Sequence, residues 1–313
     1  MMTLLLVLGY LLLAPIAGGL LAGADRIVTA RMQSRLGPPL LQPFYDVMKL
    51  LSKKHVVVNL HQNFYAIGFV VFTAATGAIF FAGGDLLLTI FAFTVAGVFL
   101  VLGAYAPSSP YSHIGAEREL LQMLACEPML ILVALGLYYV TGSFNVHDMM
   151  NATSPAATYL PGIFFGFLFI LTIKLRKSPF DLSTSHHGHQ EIVKGVTTEF
   201  SGPSLALIEL AHWYENVFLM GIIWLFFASN PWLAALAVVV SYLAEILIDN
   251  SNARLTWKPM LTSTWVVTGV FGVTNLMVLP YIITPKKIEP AAIEQQVAPT
   301  SAEPVTVLPS SNR

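Results

Sequence analysis

Apolar runs of membrane-spanning length recur from one end of this chain to the other, and no other feature limits its fold so strongly. A helix needs about twenty mostly apolar residues to cross the roughly 30 Å hydrocarbon core of a bilayer. Eight runs are candidates, at about 3–24, 64–82, 86–106, 119–140, 161–175, 204–228, 232–248 and 262–283. The fifth is short unless Thr158, Tyr159 and Leu160 extend it. No run alternates with the period of two that a barrel strand needs, so helices are expected, each satisfying its backbone polar groups internally. The chain is 56% hydrophobic and only 11% charged, whereas soluble domains are about a quarter charged. The predicted fold class is all-α integral membrane: one domain over 1–283 with eight transmembrane helices.

Loop charge orients these helices. Thirteen of the sixteen Lys and Arg residues fall after odd-numbered runs: Arg26, Arg31, Arg35, Lys49, Lys53 and Lys54; then Arg118; then Lys174, Arg176, Lys177 and Lys194; then Arg254 and Lys258. The connections after runs two, four and six hold none. By the positive-inside rule, the loops at about 25–63, 107–118, 176–203 and 249–261 are cytoplasmic and both termini lie outside. The expected location is the inner (cytoplasmic) membrane, with any peripheral arm on the cytoplasmic side. The first run resembles a signal peptide at Ala22-Gly23-Ala24, but its basic cluster follows the apolar stretch instead of preceding it, so it reads as a span. Gly19 and Gly23 form a GxxxG that either admits another helix at close range or faces lipid without consequence.

The loops carry signals of their own. Leu41, Phe44, Val47, Met48 and Leu51 follow an amphipathic spacing over 40–55, suggesting a helix lying on the membrane or under a partner. The connection 141–160 reads as plain loop. The tail 284–313, rich in Pro, Ala, Glu and Ser, lacks the apolar surface to fold alone. No internal repeat is visible, unlike the inverted halves of many secondary transporters. A net charge of −1 excludes a nucleic-acid partner. The single cysteine, Cys126, cannot form an internal disulfide or hold a cysteine-ligated cluster.

Acids inside the apolar runs are the residues that ask for a function. An ionised carboxylate at the bilayer centre costs about 2.5–3.5 kcal/mol on the most lenient scale, so such groups pair, face the bundle interior or take up a proton. Glu127 precedes Pro128, which removes a backbone donor and frees a carbonyl. Glu209, His212, Trp213 and Asn216 share one helical face, and Glu215 is three residues from His212, within side-chain reach. Tyr242, Glu245, Asp249 and Asn252 share another face. One reading makes Glu199, Glu209, His212, Glu215, Glu127, Glu245 and Asp249 a proton or ion relay; the other makes them helix caps and inter-helix hydrogen bonds. For Glu119, Asp249 and Glu215, near the ends of their runs, the second reading carries at least equal weight.

His186, His187 and His189 are too closely spaced to converge simply on a metal and have no cysteine partner. They read as polar loop surface able to relay protons or meet a partner. No metal site is expected. No Gly-rich phosphate loop, GxSxG or HExxH is present, so the chain holds no catalytic centre of its own.

Short motifs add a resemblance. Arg31-Met-Gln-Ser-Arg35-Leu-Gly-Pro38, Leu41-Gln-Pro43 and Asp46-Val-Met-Lys-Leu-Leu resemble the first loop of the complex I subunit 1 family. Glu117-Arg-Glu119-Leu-Leu-Gln-Met, Ser178-Pro-Phe-Asp181-Leu, Gln190-Glu191-Ile-Val-Lys-Gly195 and Thr198-Glu199-Phe-Ser-Gly202 follow in the family's order, and the likeness covers about 4–283. Quinone-reactive members carry an acidic Pro-Glu-Ala-Glu segment where this chain has Ser183-Thr-Ser-His-His-Gly-His189. That segment, with Ala211-His-Trp-Tyr-Glu215, resembles the membrane subunit of energy-converting nickel–iron (NiFe) hydrogenases of the Ech and membrane-bound type.

The resemblance implies a non-catalytic coupling and anchor subunit of a ferredoxin-linked, proton-reducing hydrogenase complex that translocates H⁺ or Na⁺. Asp181, Glu191 and Glu199 match acids of the family's third cytoplasmic loop. Arg26, Arg31 and Arg35, with the three loop histidines, would dock the peripheral arm. The implied partners are hydrogenase large and small subunits, an iron–sulfur subunit and an antiporter-like membrane subunit, with ferredoxin as donor and the bilayer as solvent. The NiFe centre and iron–sulfur clusters would sit in those partners, and this chain would carry no cofactor. A quinone-reducing or formate-linked complex of the same family is the alternative, and a stand-alone ion transporter a third reading.

Overall fold

The computed structural model describes residues 2–54, 59–180, 195–253 and 255–282. Eleven α-helices follow in chain order among them: α1 (Met2–Met32), α2 (Gln42–Leu51), α3 (Leu60–Phe81), α4 (Leu86–Tyr105), α5 (Pro110–Thr141), α6 (Val146–Met150), α7 (Pro161–Lys174), α8 (Pro203–Phe226), α9 (Pro231–Ser251), α10 (Trp257–Val267) and α11 (Thr274–Ile282). A π turn over Thr268–Val273 joins the last two into one rod. Strands are absent among the described residues, apart from two isolated bridges. Local sequence explains where the helices start. Four have proline as their first residue (Pro110, Pro161, Pro203 and Pro231), where a missing N–H costs nothing. Asp85 caps α4 by accepting from Leu88 N at 2.8 Å, and Asn230 caps α9 by accepting from Trp232 N at 3.1 Å.

Among the described residues, six helices are long and apolar enough to cross a membrane: Thr3–Met32, His61–Phe81, Leu86–Tyr105, Pro110–Thr141, Pro231–Ser251 and Trp257–Ile282. They coincide with six of the eight apolar runs, and the chain is a multi-pass membrane protein. The fifth run is a helix of 14 residues, about 21 Å at 1.5 Å per residue. Thr158 lies in a 3-10 turn (Ala156–Thr158) instead of extending it. The sixth run is α8, whose 24 residues include Glu209, His212, Glu215 and Asn216.

α8 is the hub of the bundle and packs against α1, α2, α3 and α9. The main core joins α4, α5, α7, α8 and the 141–160 connection around fully buried Phe167, Phe218, Phe226, Met129 and Leu130. At the periphery the exposed residues are apolar: Leu4, Leu5, Leu8 and Leu12 on α1, and Val266, Val270, Met277 and Tyr281 on the last rod. Outward apolar faces suit a chain whose solvent is hydrocarbon.

Several boundaries differ from the hydropathy reading. α1 continues past Ala24 to Met32, and α5 begins at Pro110, so most of 107–118 is helix instead of loop. Charged residues end an apolar run without ending a helix, and Gly115 admits the Gly195–Val196 backbone against the α5 extension, where a β-carbon would collide. The 40–55 segment is amphipathic, but its inward stripe is Pro43, Phe44, Val47 and Leu50 on Ala206 and Trp213. Leu41, Met48 and Leu51, expected on that stripe, are exposed. The 141–160 connection holds α6 and the 3-10 turn, and it buries Val146, Met149, Ala156 and Leu160 in the core. Both GxxxG glycines sit at a close approach, Gly19 against the Phe44 ring of α2, and the neighbouring Gly18, outside the motif, admits the Trp213 backbone of α8; a β-carbon would collide at each. Gly23 faces the Leu40 carbonyl. The tail from 283 onward lies outside the described residues.

Candidate functional site

The site starts from two adjacent cations just beyond α7. The chain leaves that helix with Arg176 in the left-handed region, φ 57°, a conformation costing a non-glycine residue about 1–2 kcal/mol. Arg176 N donates to Ile173 O at 3.0 Å and Lys177 N to Thr172 O at 2.9 Å, closing the helix end. The turn delivers the two neighbouring side chains to different helices.

Arg176 serves α5 and α8. Its guanidinium contacts His212 Nε2, and Nη2 lies 3.9 Å from Glu119 Oε1. His212 Nδ1 in turn lies 3.1 Å from Glu215 Oε2. Its ring also meets Phe69 edge-on, with centroids 5.4 Å apart. Lys177 serves α1 and α9. Its ammonium pairs with Asp25 and lies 3.7 Å from Asp249 Oδ2, while Asp249 Oδ1 accepts from Ser178 N at 2.8 Å. Glu245, one helical turn before Asp249, is 2% exposed, and Thr172 and Lys177 are near enough to act on its carboxyl. Tyr242, a turn further along α9, donates to Leu21 O at 3.0 Å.

The string continues to the surface. Asp25 is followed by Arg26, whose Nη1 donates to Asp46 Oδ2 on α2 at 2.6 Å. Gln42 Nε2 donates to Asp46 Oδ1 at 2.9 Å. Partial burial pushes the Asp46 carboxyl up, but hydrogen bonds from Arg26 and Gln42 and the charges of Arg26 and Lys49 outweigh it and hold the group below the usual carboxylate range. Polar side chains thus line up from Glu215 in the interior, through His212 and Arg176, then Lys177 and Asp25, to Arg26 and Asp46 on the outer helix, with Arg176–Lys177 and Asp25–Arg26 joined as chain neighbours.

Among the residues singled out by sequence, His212 and Glu215 meet, and Glu245 and Asp249 join them through the two cations. Glu127 on α5, Glu209 on α8 and Glu199 ahead of α8 are half-buried and stand apart from the string. Asp181, Glu191, His186, His187 and His189 lie outside the described residues. Arg31 is exposed; Arg35 hydrogen-bonds Gln33 and, with Arg26, Leu36 and Pro38, lines a shallow open pocket. Asn252, expected on the Glu245 face, is exposed and bonds only its own helix.

Sequence reasoning missed Asp25 altogether and treated Arg176 and Lys177 as ordinary loop charge. It also weighed Glu119 as an end-of-run acid, yet that residue is 6% exposed beside Arg176. A signal was present: several buried acids require cations within reach, and Arg176–Lys177 is the one basic pair abutting the end of an apolar run.

Comparison with known proteins fixes the lineage. Residues 3–280 match the family model described as NADH dehydrogenase. The chain belongs to this family, that of complex I subunit 1/H. Its relatives include hydrogenase-4 component C of Escherichia coli (strain K12), 31% identical over 60% of this chain and 64% of the relative. The chain thus spans just under two thirds of that protein. Formate hydrogenlyase subunit 4 of the same organism is 28% identical over 79% of this chain and 89% of the relative. NADH-ubiquinone oxidoreductase chain 1 of Paracentrotus lividus is 31% identical over 74% and 76%. All three are named as parts of larger assemblies. The fold is shared with a chain in the structure of the membrane-bound sulfane sulfur reductase, an archaeal respiratory membrane complex. Their TM-score is 0.78 at 23% identity, covering 88% of this chain and all of that one.

Proposed function

We propose that this subunit 1 family member is the non-catalytic coupling and anchor subunit of a ferredoxin-linked, proton-reducing NiFe hydrogenase complex. Redox chemistry in a cytoplasmic arm, with its NiFe centre and iron–sulfur clusters, would be linked through this chain to H⁺ or Na⁺ movement in an antiporter-like membrane partner. The observation that carries the reading is the string through Glu215, Arg176 and Lys177, buried at Glu215 and Lys177, that reaches the surface at Asp46. Ionisable groups inside a membrane bundle mark ion and proton pathways by default, and this one ends on the surface helix that an arm would touch. The single cysteine supports a role without electron carriers.

In this reading α7 and α8 also cross the membrane, giving eight crossings with both termini outside. Both helices lie within the bundle core, where neighbouring helices shield the short α7 and the polar half of α8. Glu215→Gln in the vesicle-embedded complex should leave subunit composition and hydrogenase turnover with an artificial donor intact while collapsing the ion gradient. A full gradient in that variant sinks the coupling role, and a purified assembly without hydrogenase large and small subunits sinks the complex type.

The likeness to formate hydrogenlyase subunit 4 and to NADH-ubiquinone oxidoreductase chain 1 favours a second reading, a formate-linked or quinone-reducing complex. Formate-driven hydrogen evolution, or inhibition by quinone-site ligands, would select it.

A further inference from the structure

The string holds more acid than base. Asp25, Glu119, Glu215, Glu245 and Asp249 face three basic side chains, Arg176, Lys177 and Lys174, together with His212. Even with all four of these charged, the bases fall one short of the five carboxylates. A poorly hydrated interior does not sustain such an excess, so part of the carboxyl set holds protons. Asp25 and Asp249 keep side-chain exposures of 23% and 28%, so solvent reaches both. Glu245 is 2% exposed, and its Oε2 has no hydrogen-bond partner among the described residues. It is the member least able to remain an anion. Among the described residues, three of the six buried side-chain polar atoms without a partner (Asp25 Oδ1, Arg176 Nε and Glu245 Oε2) belong to this one string. Buried groups left open in this way are where a proton or water is accommodated.

Lys177 stands where these demands meet. It comes from the α7 end, pairs with Asp25 of α1 and Asp249 of α9, and acts on Glu245 of α9. Thr172 of α7 and Tyr242 of α9 are the other polar groups around Glu245 and Asp25. The α5 and α8 groups, Glu119, His212 and Glu215, are engaged by Arg176. One ammonium is therefore paired with two carboxyls from two helices, Asp25 and Asp249, and acts on a third, Glu245, from a greater distance.

We propose that Lys177 is a positioning residue that, held by Asp25 and Asp249 beside Glu245, sets the pH at which Glu245 exchanges its proton. The proposal deepens the coupling reading and rests on it. Lys177 carries no proton along the path; its charge is divided between the α1 acid and the two α9 acids. Removing either side of that division should act in opposite directions. Without Lys177, Glu245 loses its nearby cation and ionises only at higher pH. Without the Asp25 charge, the ammonium is released toward α9, and Glu245 then ionises at lower pH.

The test is difference infrared spectroscopy of the purified complex, following the C=O stretch of a buried carboxylic acid against pH. Absence of the band in Glu245→Gln identifies it, and its persistence there overturns the proposal. Lys177→Met should raise the midpoint by about one to three pH units, the range for removing an opposite charge at close contact. Asp25→Asn should lower it, and Lys177→Arg should restore the wild-type midpoint. Unmoved midpoints, shifts of the same sign in the Met and Asn variants, or an arginine that behaves like methionine overturn the proposal. If Lys177→Met does not accumulate, the sign of the Asp25→Asn shift decides alone. Wild-type vesicles that build no ion gradient would defeat the coupling reading while leaving the infrared result to stand by itself.

Discussion

Glu215 and Glu209 lie on the same helix, six residues apart, yet the bundle treats them differently. Glu215 is buried, paired to His212 at 3.1 Å and reaches Arg176 through that ring. Glu209 is half-buried and outside the string. Burial alone does not recruit an acid into a network; a cation from a neighbouring helix end does. The left-handed turn at Arg176 supplies that cation to α8 near His212 and supplies its neighbour, Lys177, to α1 and α9. Nothing comparable approaches Glu209 among the described residues. A group held by partners is costly to disturb, whereas a lone half-buried group is free to differ in charge at little structural cost.

The largest test of this contrast removes the cation. Arg176→Met leaves Glu119 buried beside an apolar side chain and removes the partner of His212 Nε2, with Glu215 still on Nδ1. Breaking one side of a buried pair costs about 3–5 kcal/mol, so thermal inactivation in detergent should come at markedly lower temperature. Unchanged stability would mean that the string is not held by Arg176. A smaller effect belongs to the outer end, where Arg26 and Asp46 are 45% and 42% exposed. The Asp46 carboxyl lies below its unfolded value, so its contribution is fully present above the ordinary Asp pKa of about 3.9 and fades as pH falls through the folded value. For an exposed pair the loss stays under about 1 kcal/mol. A spin label at Met48 should therefore gain mobility only in strong acid, and a transition near neutral pH would contradict the assignment. The smallest effect is expected at Glu209→Gln, within about 0.5 kcal/mol of wild type. If that variant also loses the ion gradient, Glu209 takes part in the pathway without holding the fold together; a large destabilisation would erase the distinction between the two acids.

Much of this was legible in the sequence. The apolar runs gave helices because a bilayer demands them, and the three-residue spacing of His212 and Glu215 placed those side chains together. The amphipathic spacing over 40–55 located α2, although its buried face is rotated toward Pro43 and Leu50 because Trp213 and Ala206 form its floor. The inward delivery of Arg176 and Lys177 was not legible. The turn that produces it uses a left-handed arginine, with no glycine to announce the bend, and the partners Asp25 and Asp249 are separated from Lys177 by long stretches of chain. The reach of α1 to Met32 was equally hidden, since hydropathy registers Asp25 and Arg26 as the end of a span although the helix runs on.

The π turn in the last rod has a bearing on how this chain tolerates changes in length. A π turn accommodates one residue more than the α-helical register on either side of it requires. Below it, Asn275 fastens the rod to the start of α7, accepting from Ile163 N at 3.0 Å and donating to Tyr159 O at 3.2 Å. Above it, Thr264 is fully buried. Widening one turn lets both anchor points keep their facing despite the surplus residue. Gly269, with open space around its Cβ position, is where that surplus can be removed, leaving an unbroken α-helix with Thr264 still inward and Asn275 still on its hook. The rod is thus a place where a relative can gain or lose a single residue without re-aiming either end.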